Sequence, residues 1–283
     1  MRIGINTFLF TSPFTDRSAT LFAKFRRWGF DSVEIAVEDP SHISPEFIKR
    51  ELTRHKLAAA PVCACFPPER DLRGTTTQQR NTREYLFRLI DMAVQLDAPC
   101  VAGPLYSATG RADAVAPRDQ KKQWATVVKN LKVICRYAEQ RGKFIAMEPL
   151  NRFETDFLNT VEQGLQMIRD VGSPALKLHL DTFHMNIEEK SQAAAIRRAG
   201  KHLGHFHACG SDRGTPGGDH TDWRGIVAAL EDVGYQGDVV IESFTQDVKV
   251  IARAAAIWRK IEPSRERIAM DGLKFLRSAF RRK

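Results

Sequence analysis

KFIAMEP (143–149), ALKLHLDTFH (175–184), LGHFHACGSDR (203–213) and DVVIESF (238–244) decide how this chain reads. Each is a run of about five apolar residues that breaks into Gly, Pro, Thr or Ser, as a buried strand of a parallel sheet does at its carboxyl end. Each run also ends on a side chain that can hold a metal: Glu148, Asp181, His207 and Glu242. In a (β/α) barrel the carboxyl ends of the strands form the rim where active sites lie.

The same alternation extends outward. RIGINTF (2–8), SVEIAV (32–37), LAAAPVCAC (57–65) and PCVAGPL (99–105) read as the first four strands. Helical patterns fill 16–29, 44–55, about 76–97, about 117–141, 159–171, 187–200 and 222–234, with final helices over 248–261 and about 264–280. Ser44 with Pro45, and Asn159–Thr160, are helix-start signals, and Gly29, Gly142 and Gly172 are stops. Eight strands alternating with helices over 283 residues predict a single α/β domain, 1–283, closed as a (β/α)8 barrel with an extra C-terminal helix. A doubly wound open sheet is the alternative, but no GxGxxG follows the first strand.

No stretch approaches the roughly 20 apolar residues of a membrane span. The start, MRIGINTFLFTS, enters a strand pattern at once and carries no signal-peptide pattern. The five cysteines form an odd set without a CxxC pair, so a reduced, cytoplasmic setting is expected. The net charge of +9 raises nucleic acid as a partner, yet residues 265–283 hold seven basic against two acidic residues and so account for +5 of it. That is a basic C-terminal segment rather than a binding stripe, and nucleic acid is not expected as a partner.

Side chains alternate along a strand, so Glu148, Asp181, His207 and Glu242 can all face the barrel mouth. Three carboxylates and one imidazole are a hard, oxygen-dominated set that favours Mn²⁺, Mg²⁺ or Co²⁺ over structural zinc. An ion holding adjacent carbonyl and hydroxyl oxygens acidifies the C–H between them and stabilises an enediolate. One of Glu148 and Glu242 can then remove the proton and the other return one. Return to the opposite face of the same carbon gives an epimer, and return to the neighbouring carbon gives an aldose–ketose isomerisation. Residue types leave that choice open. On residues alone, Glu154 reads as an exposed loop acid, His184 as a loop histidine, and Arg213 as either an anion clamp or a surface charge. His179 and His205 read as core or supporting histidines, and Cys209 as a bystander.

These motifs resemble the ketose 3-epimerases (D-tagatose, D-psicose and L-ribulose 3-epimerases) of the xylose-isomerase-like TIM barrels. INTFLF (5–10), GPLYSATGR (103–111), EPLNRFE (148–154), HLDTFHMNIEE (179–189), HFHACGSDRGTPGGDHTDW (205–223) and IESF (241–244) carry the likeness over almost the whole chain. The resemblance implies a carbohydrate 3-epimerase, an isomerase of the EC 5.1.3 type, acting on a free ketose with one divalent ion, Mn²⁺ first. It places the metal ligands on Glu148, Asp181, His207 and Glu242, the acid/base pair on Glu148 and Glu242, and substrate contacts on Glu154, His184 and Arg213. It also implies a homo-oligomer, dimer or tetramer. One departure is Gly210, where many members carry an acid three residues after the metal histidine. Phe8, Phe10, Phe66 and Tyr106 are candidates to wall the sugar's far carbons. Competing readings are an inosose- or hydroxypyruvate-type isomerase, an abasic-site endonuclease and a non-catalytic sugar-binding protein. GTPGG (214–218) is a weak candidate phosphate cradle.

Overall fold

A computed structural model describes residues 1–281. Arg282 and Lys283, part of the basic C-terminal segment, lie outside the described residues. Eight parallel strands, β1 (Arg2–Asn6), β2 (Ser32–Val37), β3 (Ala58–Ala64), β4 (Cys100–Gly103), β5 (Phe144–Met147), β6 (Leu176–Asp181), β7 (Leu203–Ala208) and β8 (Asp238–Ile241), pair in sequence order. β8 pairs with β1, so the barrel closes as the alternation predicted. Between the strands run α1 (Leu21–Trp28), α2 (Pro45–Arg54), α3 (Thr76–Gln95), α4 (Pro117–Glu139), α5 (Val161–Val171), α6 (Thr182–Glu188), α7 (Gln192–Ala199) and α8 (Trp223–Asp232). α9 (Lys249–Ala254) and α10 (Arg265–Ala279) follow β8.

The predicted helix over 187–200 is in fact two. The Asp181 carboxylate accepts from the Phe183 N–H at 2.8 Å and starts α6 directly at the end of β6, while Ser191 caps the Ala194 N–H and starts α7. The expected helix 248–261 stops at Ala254, where the chain turns and Ala256 takes φ +54°. The expected helix start at residue 16 is a 3-10 turn, Asp16–Thr20, ahead of α1.

Two different interiors result. Between strands and helices, Phe22, Phe25, Ile48, Leu86, Leu131 and Ile196 pack a continuous apolar layer. Inside the barrel, Cys100, Ala102 and Ala146 form a layer of small side chains, above which lie Asn6, Glu34, His179 and His205, all buried. Small residues below leave room for polar ones above. Gly103, at the end of β4, takes φ +132°, and a Cβ there would stand 3.0 Å from the Ala64 carbonyl oxygen. Its own carbonyl accepts from the Glu148 N–H at 2.9 Å, so this glycine fixes where β5 ends.

α5 seats on β6 through Gly164, where an added Cβ would meet the Leu178 Cδ2 at 2.7 Å. Gly164→Ala is therefore expected to destabilise the protein by about 1–3 kcal/mol through overpacking, read as a lower denaturant midpoint at unchanged slope.

Candidate metal centre

Register brings the polar residues together. Asp181 is the Cα partner of His207 across β6 and β7, and Asn6 is that of Glu34 across β1 and β2. Glu148 and Glu242 stand one residue past β5 and β8. Ligand atoms of Glu148, Asp181 and His207 lie within 4.8 Å of one another, and so do those of Glu34, His207 and Glu242. His207 belongs to both groups, and its Nδ1 lies 3.3 Å from Glu242 Oε2. Glu148 Oε1 and His207 Nδ1 are buried without a hydrogen-bond partner among the described residues. Four buried carboxylates with two orphaned ligand atoms fit a hard divalent cation in both charge and donor type.

Burial raises the Glu148 pKa well above its ordinary value, and the Glu242 carboxylate beside it adds to the rise. Burial alone would also raise Glu242, but the His207 imidazole and then Arg213 bring it below its ordinary value. Burial would lower His207, yet Glu34 and Glu242 carry it well above 6.5. Asp181 is raised by burial against the pull of Arg213.

The three residues expected at the substrate are deeper than their sequence context implied. Arg213 is buried rather than at the surface, and its backbone sits at φ +67°, a strained setting for a non-glycine. Its Nη1 pairs with Asp181 Oδ2 at 2.5 Å and Glu242 Oε2 at 3.3 Å, between the rings of Phe183 and Phe244. His184 is not in a loop but in the first turn of α6, buried. The Asn151 N–H donates to its Nδ1 at 3.1 Å, so its Nε2 carries the proton and faces Arg213 Nη2 at 3.0 Å and Glu148 Oε1 at 3.7 Å. Glu154 is half-buried rather than exposed, with Oε1 accepting from Asn151 Nδ2 at 2.8 Å.

Sequence reasoning passed over Glu34, which sits fully buried in the middle of β2. Its Oε1 accepts from Asn6 Nδ2 and His207 Nε2, both at 2.8 Å, and its Oε2 from His205 Nε2 at 2.6 Å. The available signal was an acid flanked by Val33 and Ile35 on a wholly buried strand, where an ionised group needs partners. His179, His205 and His207 also cluster, but their ring centres lie 4.6, 4.0 and 4.8 Å apart. Two of the three pairs meet edge to face and the third is tilted, and the Nε2 atoms of His205 and His207 face Glu34 instead of a shared point.

Of the candidate sugar walls, Phe10 packs on Phe25 and Trp28, Phe66 on Tyr85, and Tyr106 donates to the Glu148 and Leu158 carbonyls, so all three serve the packing. Phe8 alone is half-buried, beside the cluster of Phe244, Ala252 and Ile257. Cys209 lies 3.7 Å from Ser243 Oγ, and burial raises its thiol pKa. Gly210 closes a tight turn: a Cβ would stand 3.0 Å from the Thr215 oxygen and 3.1 Å from Gly214 backbone atoms, so an acid there requires the turn to loosen. The GTPGG amides do not form an anion cradle, since Gly214 N–H donates to Asp212 and Thr215 N–H to Glu262.

Comparison with known proteins places this geometry. Residues 22–279 match the family model described as xylose isomerase-like TIM barrel. The chain is 37% identical to a probable ketose 3-epimerase of Synechocystis sp., over 99% of this chain and 97% of that protein. It is 32% identical to a D-psicose 3-epimerase of Agrobacterium fabrum, over 96% and 94% respectively. A crystal structure of D-allulose 3-epimerase from Methylomonas sp. superposes with a TM-score of 0.91 at 29% identity, covering 99% of this chain and 98% of that one.

The raised groups set a pH dependence for metal-stripped protein. The native state keeps protons on Glu148 and His207 that the unfolded chain releases near 4.5 and 6.5, so their contribution is lost as pH rises through the native values. Glu34 and Glu242 act oppositely, stabilising above 4.5 and losing that effect as pH falls. The melting temperature of metal-stripped protein is expected to fall by a few °C or more from pH 6.5 to 9, measured by calorimetry with chelator present.

Proposed function

The chain belongs to the ketose 3-epimerases of the xylose isomerase-like TIM barrel family, and from that premise we propose how its residues divide the work of inverting C3 of a free ketose. Glu148, Asp181, His207 and Glu242 hold the divalent ion, Mn²⁺ first by donor type with Mg²⁺ or Co²⁺ as alternatives. When bound, the ion polarises the sugar's adjacent oxygens and steadies the negative charge that develops on them. The observation that carries this reading is the convergence of Glu148, Asp181 and His207, with His207 Nδ1 and Glu148 Oε1 both left for a ligand.

Glu148 and Glu242 enter the mouth from strands three apart, with β6 and β7 between them. They approach a bound ketose from different sides, so one carboxylate takes the C3 proton and the other delivers a proton to the opposite face of the enediolate. His184 Nε2–H and Arg213 Nη2 aim donors at one small space, an unfavourable pairing that an acceptor oxygen of the sugar resolves. Glu154, tethered by Asn151, borders the same space. Phe8 and Phe244 line the apolar side.

We further infer a homo-oligomer, a dimer or tetramer, in which loop residues Phe153 and Trp258, 76% and 72% exposed, meet a partner. No helix among the described residues is long and apolar enough to cross a membrane. Five free cysteines support a reducing, cytoplasmic setting.

Incubation with Mn²⁺ and D-fructose, D-tagatose or L-ribulose in D₂O is expected to place deuterium at C3. Glu148→Gln and Glu242→Gln are each expected to slow that exchange by about 10²–10⁴-fold and to weaken Mn²⁺ binding. Label on the neighbouring carbon would indicate an aldose–ketose isomerase, and no exchange with any ketose despite bound metal would overturn the reading.

A further inference from the structure

We propose that Glu34 is a positioning residue whose Oε1 holds a hydrogen on His207 Nε2 and, through Asn6, sets Glu242, so that His207 Nδ1 is the nitrogen left to an ion. The inference rests on the reading of His207 and Glu242 as metal ligands.

The chain of forced orientations begins at the backbone. Phe8 N–H donates to Asn6 Oδ1 at 2.8 Å, which settles which way the Asn6 amide points. Its Nδ2 is thereby turned to Glu34 Oε1 at 2.8 Å and Glu242 Oε1 at 3.3 Å. Glu34 in turn has only acceptors to offer, so the His207 and His205 nitrogens facing it must both carry hydrogen. With Nε2 committed, His207 is left with Nδ1 as its ligand atom, and that atom is buried, unpartnered and 3.3 Å from Glu242 Oε2. A carboxylate that orients a histidine for a cation is a recurring device, and removing it costs on the order of 10–100-fold in metal affinity. A carboxylate serving only the core would need no such alignment.

The same geometry distinguishes the amide variant. In Glu34→Gln, Asn6 still presents donors, so the amide oxygen must take the Oε1 place and continues to accept from His207. The amide NH₂ then takes the Oε2 place and faces His205, whose Nε2 must give up its hydrogen. The tautomer that changes is therefore that of His205, while His207 keeps its own.

The test measures Mn²⁺ affinity of metal-stripped protein by calorimetric titration, and histidine tautomers by ¹⁵N-imidazole correlation spectra of Mg²⁺-loaded protein. The expectation is Nε2–H on both His205 and His207 in the native protein. Glu34→Gln should move His205 to Nδ1–H, keep His207 as it is, and weaken Mn²⁺ binding less than Glu34→Ala does. Glu34→Ala should weaken it about 10–100-fold. The proposal fails if His205 stays Nε2–H in Glu34→Gln, or if a folded Glu34→Ala binds Mn²⁺ within about twofold of native protein. Should Glu34→Ala not fold, Glu34→Gln decides: the proposal requires weaker Mn²⁺ binding than in native protein with His207 still Nε2–H, and either native affinity or His207 as Nδ1–H would overturn it. Neither readout is turnover, so a protein that meets these expectations yet epimerises no ketose would sink only the functional reading.

Discussion

Four carboxylates, those of Glu34, Glu148, Asp181 and Glu242, are buried at one end of one barrel, and the rest of the site is a response to that crowding. Removing an ionised carboxylate from water costs several kcal/mol even after relaxation, and placing four together adds mutual repulsion. Arg213 and His207 are the fixed responses: the guanidinium bridges Asp181 and Glu242, and the imidazole lies between Glu34 and Glu242. They do not balance the set. Among the described residues Glu148 makes no salt bridge to a lysine or arginine, and the cation-capable side chains paired with it are His179 and His184 at 3.6 and 3.7 Å. A site built this way has a standing deficit of positive charge, which a divalent cation supplies.

The scaffold makes such crowding tolerable. Parallel strands deliver their carboxyl ends to one face, and β8 closes on β1, so the sheet has no open edge. The small layer of Cys100, Ala102 and Ala146 beneath lets the histidines stack without crowding the strands. Two glycines set the rim: Gly103 fixes the end of β5 through the Glu148 N–H, and Gly210 tightens the turn that carries Arg213 inward. Arg213 holds a strained backbone there because Gly210 accepts its N–H and Phe244 N–H donates to its carbonyl.

Much of this was legible in the residues, for a physical reason. An apolar run that ends on an acid or a histidine marks the point where a buried strand meets the rim, and four such ends in succession left few other arrangements. The barrel, its strand order and the location of Glu148, Asp181, His207 and Glu242 all follow from that pattern. What stayed hidden depended on contacts across the barrel. Glu34 lies in mid-strand, where SVEIAV reads simply as a strand, and its partners come from β1 and β7. Glu154 reads as exposed, and Arg213 stays open between a clamp and a surface charge, because loops are usually exposed, whereas the structure half-buries the first and buries the second. The expected helix over 187–200 differs because Asp181 caps a separate short helix that runs to Glu188, and Ser191 caps the next, which leaves 189–191 outside both.

That double use of Asp181 ties His184 to Arg213. Its Oδ1 starts the helix that carries His184, and its Oδ2 holds Arg213, so both groups are anchored on a single carboxylate. The cap and the ion pair draw on separate oxygens, so a change on one side of Asp181 leaves the partner on the other side in place. Arg213 is also held by packing, with its guanidinium over the rings of Phe183 and Phe244, so its position does not rest on the carboxylates alone.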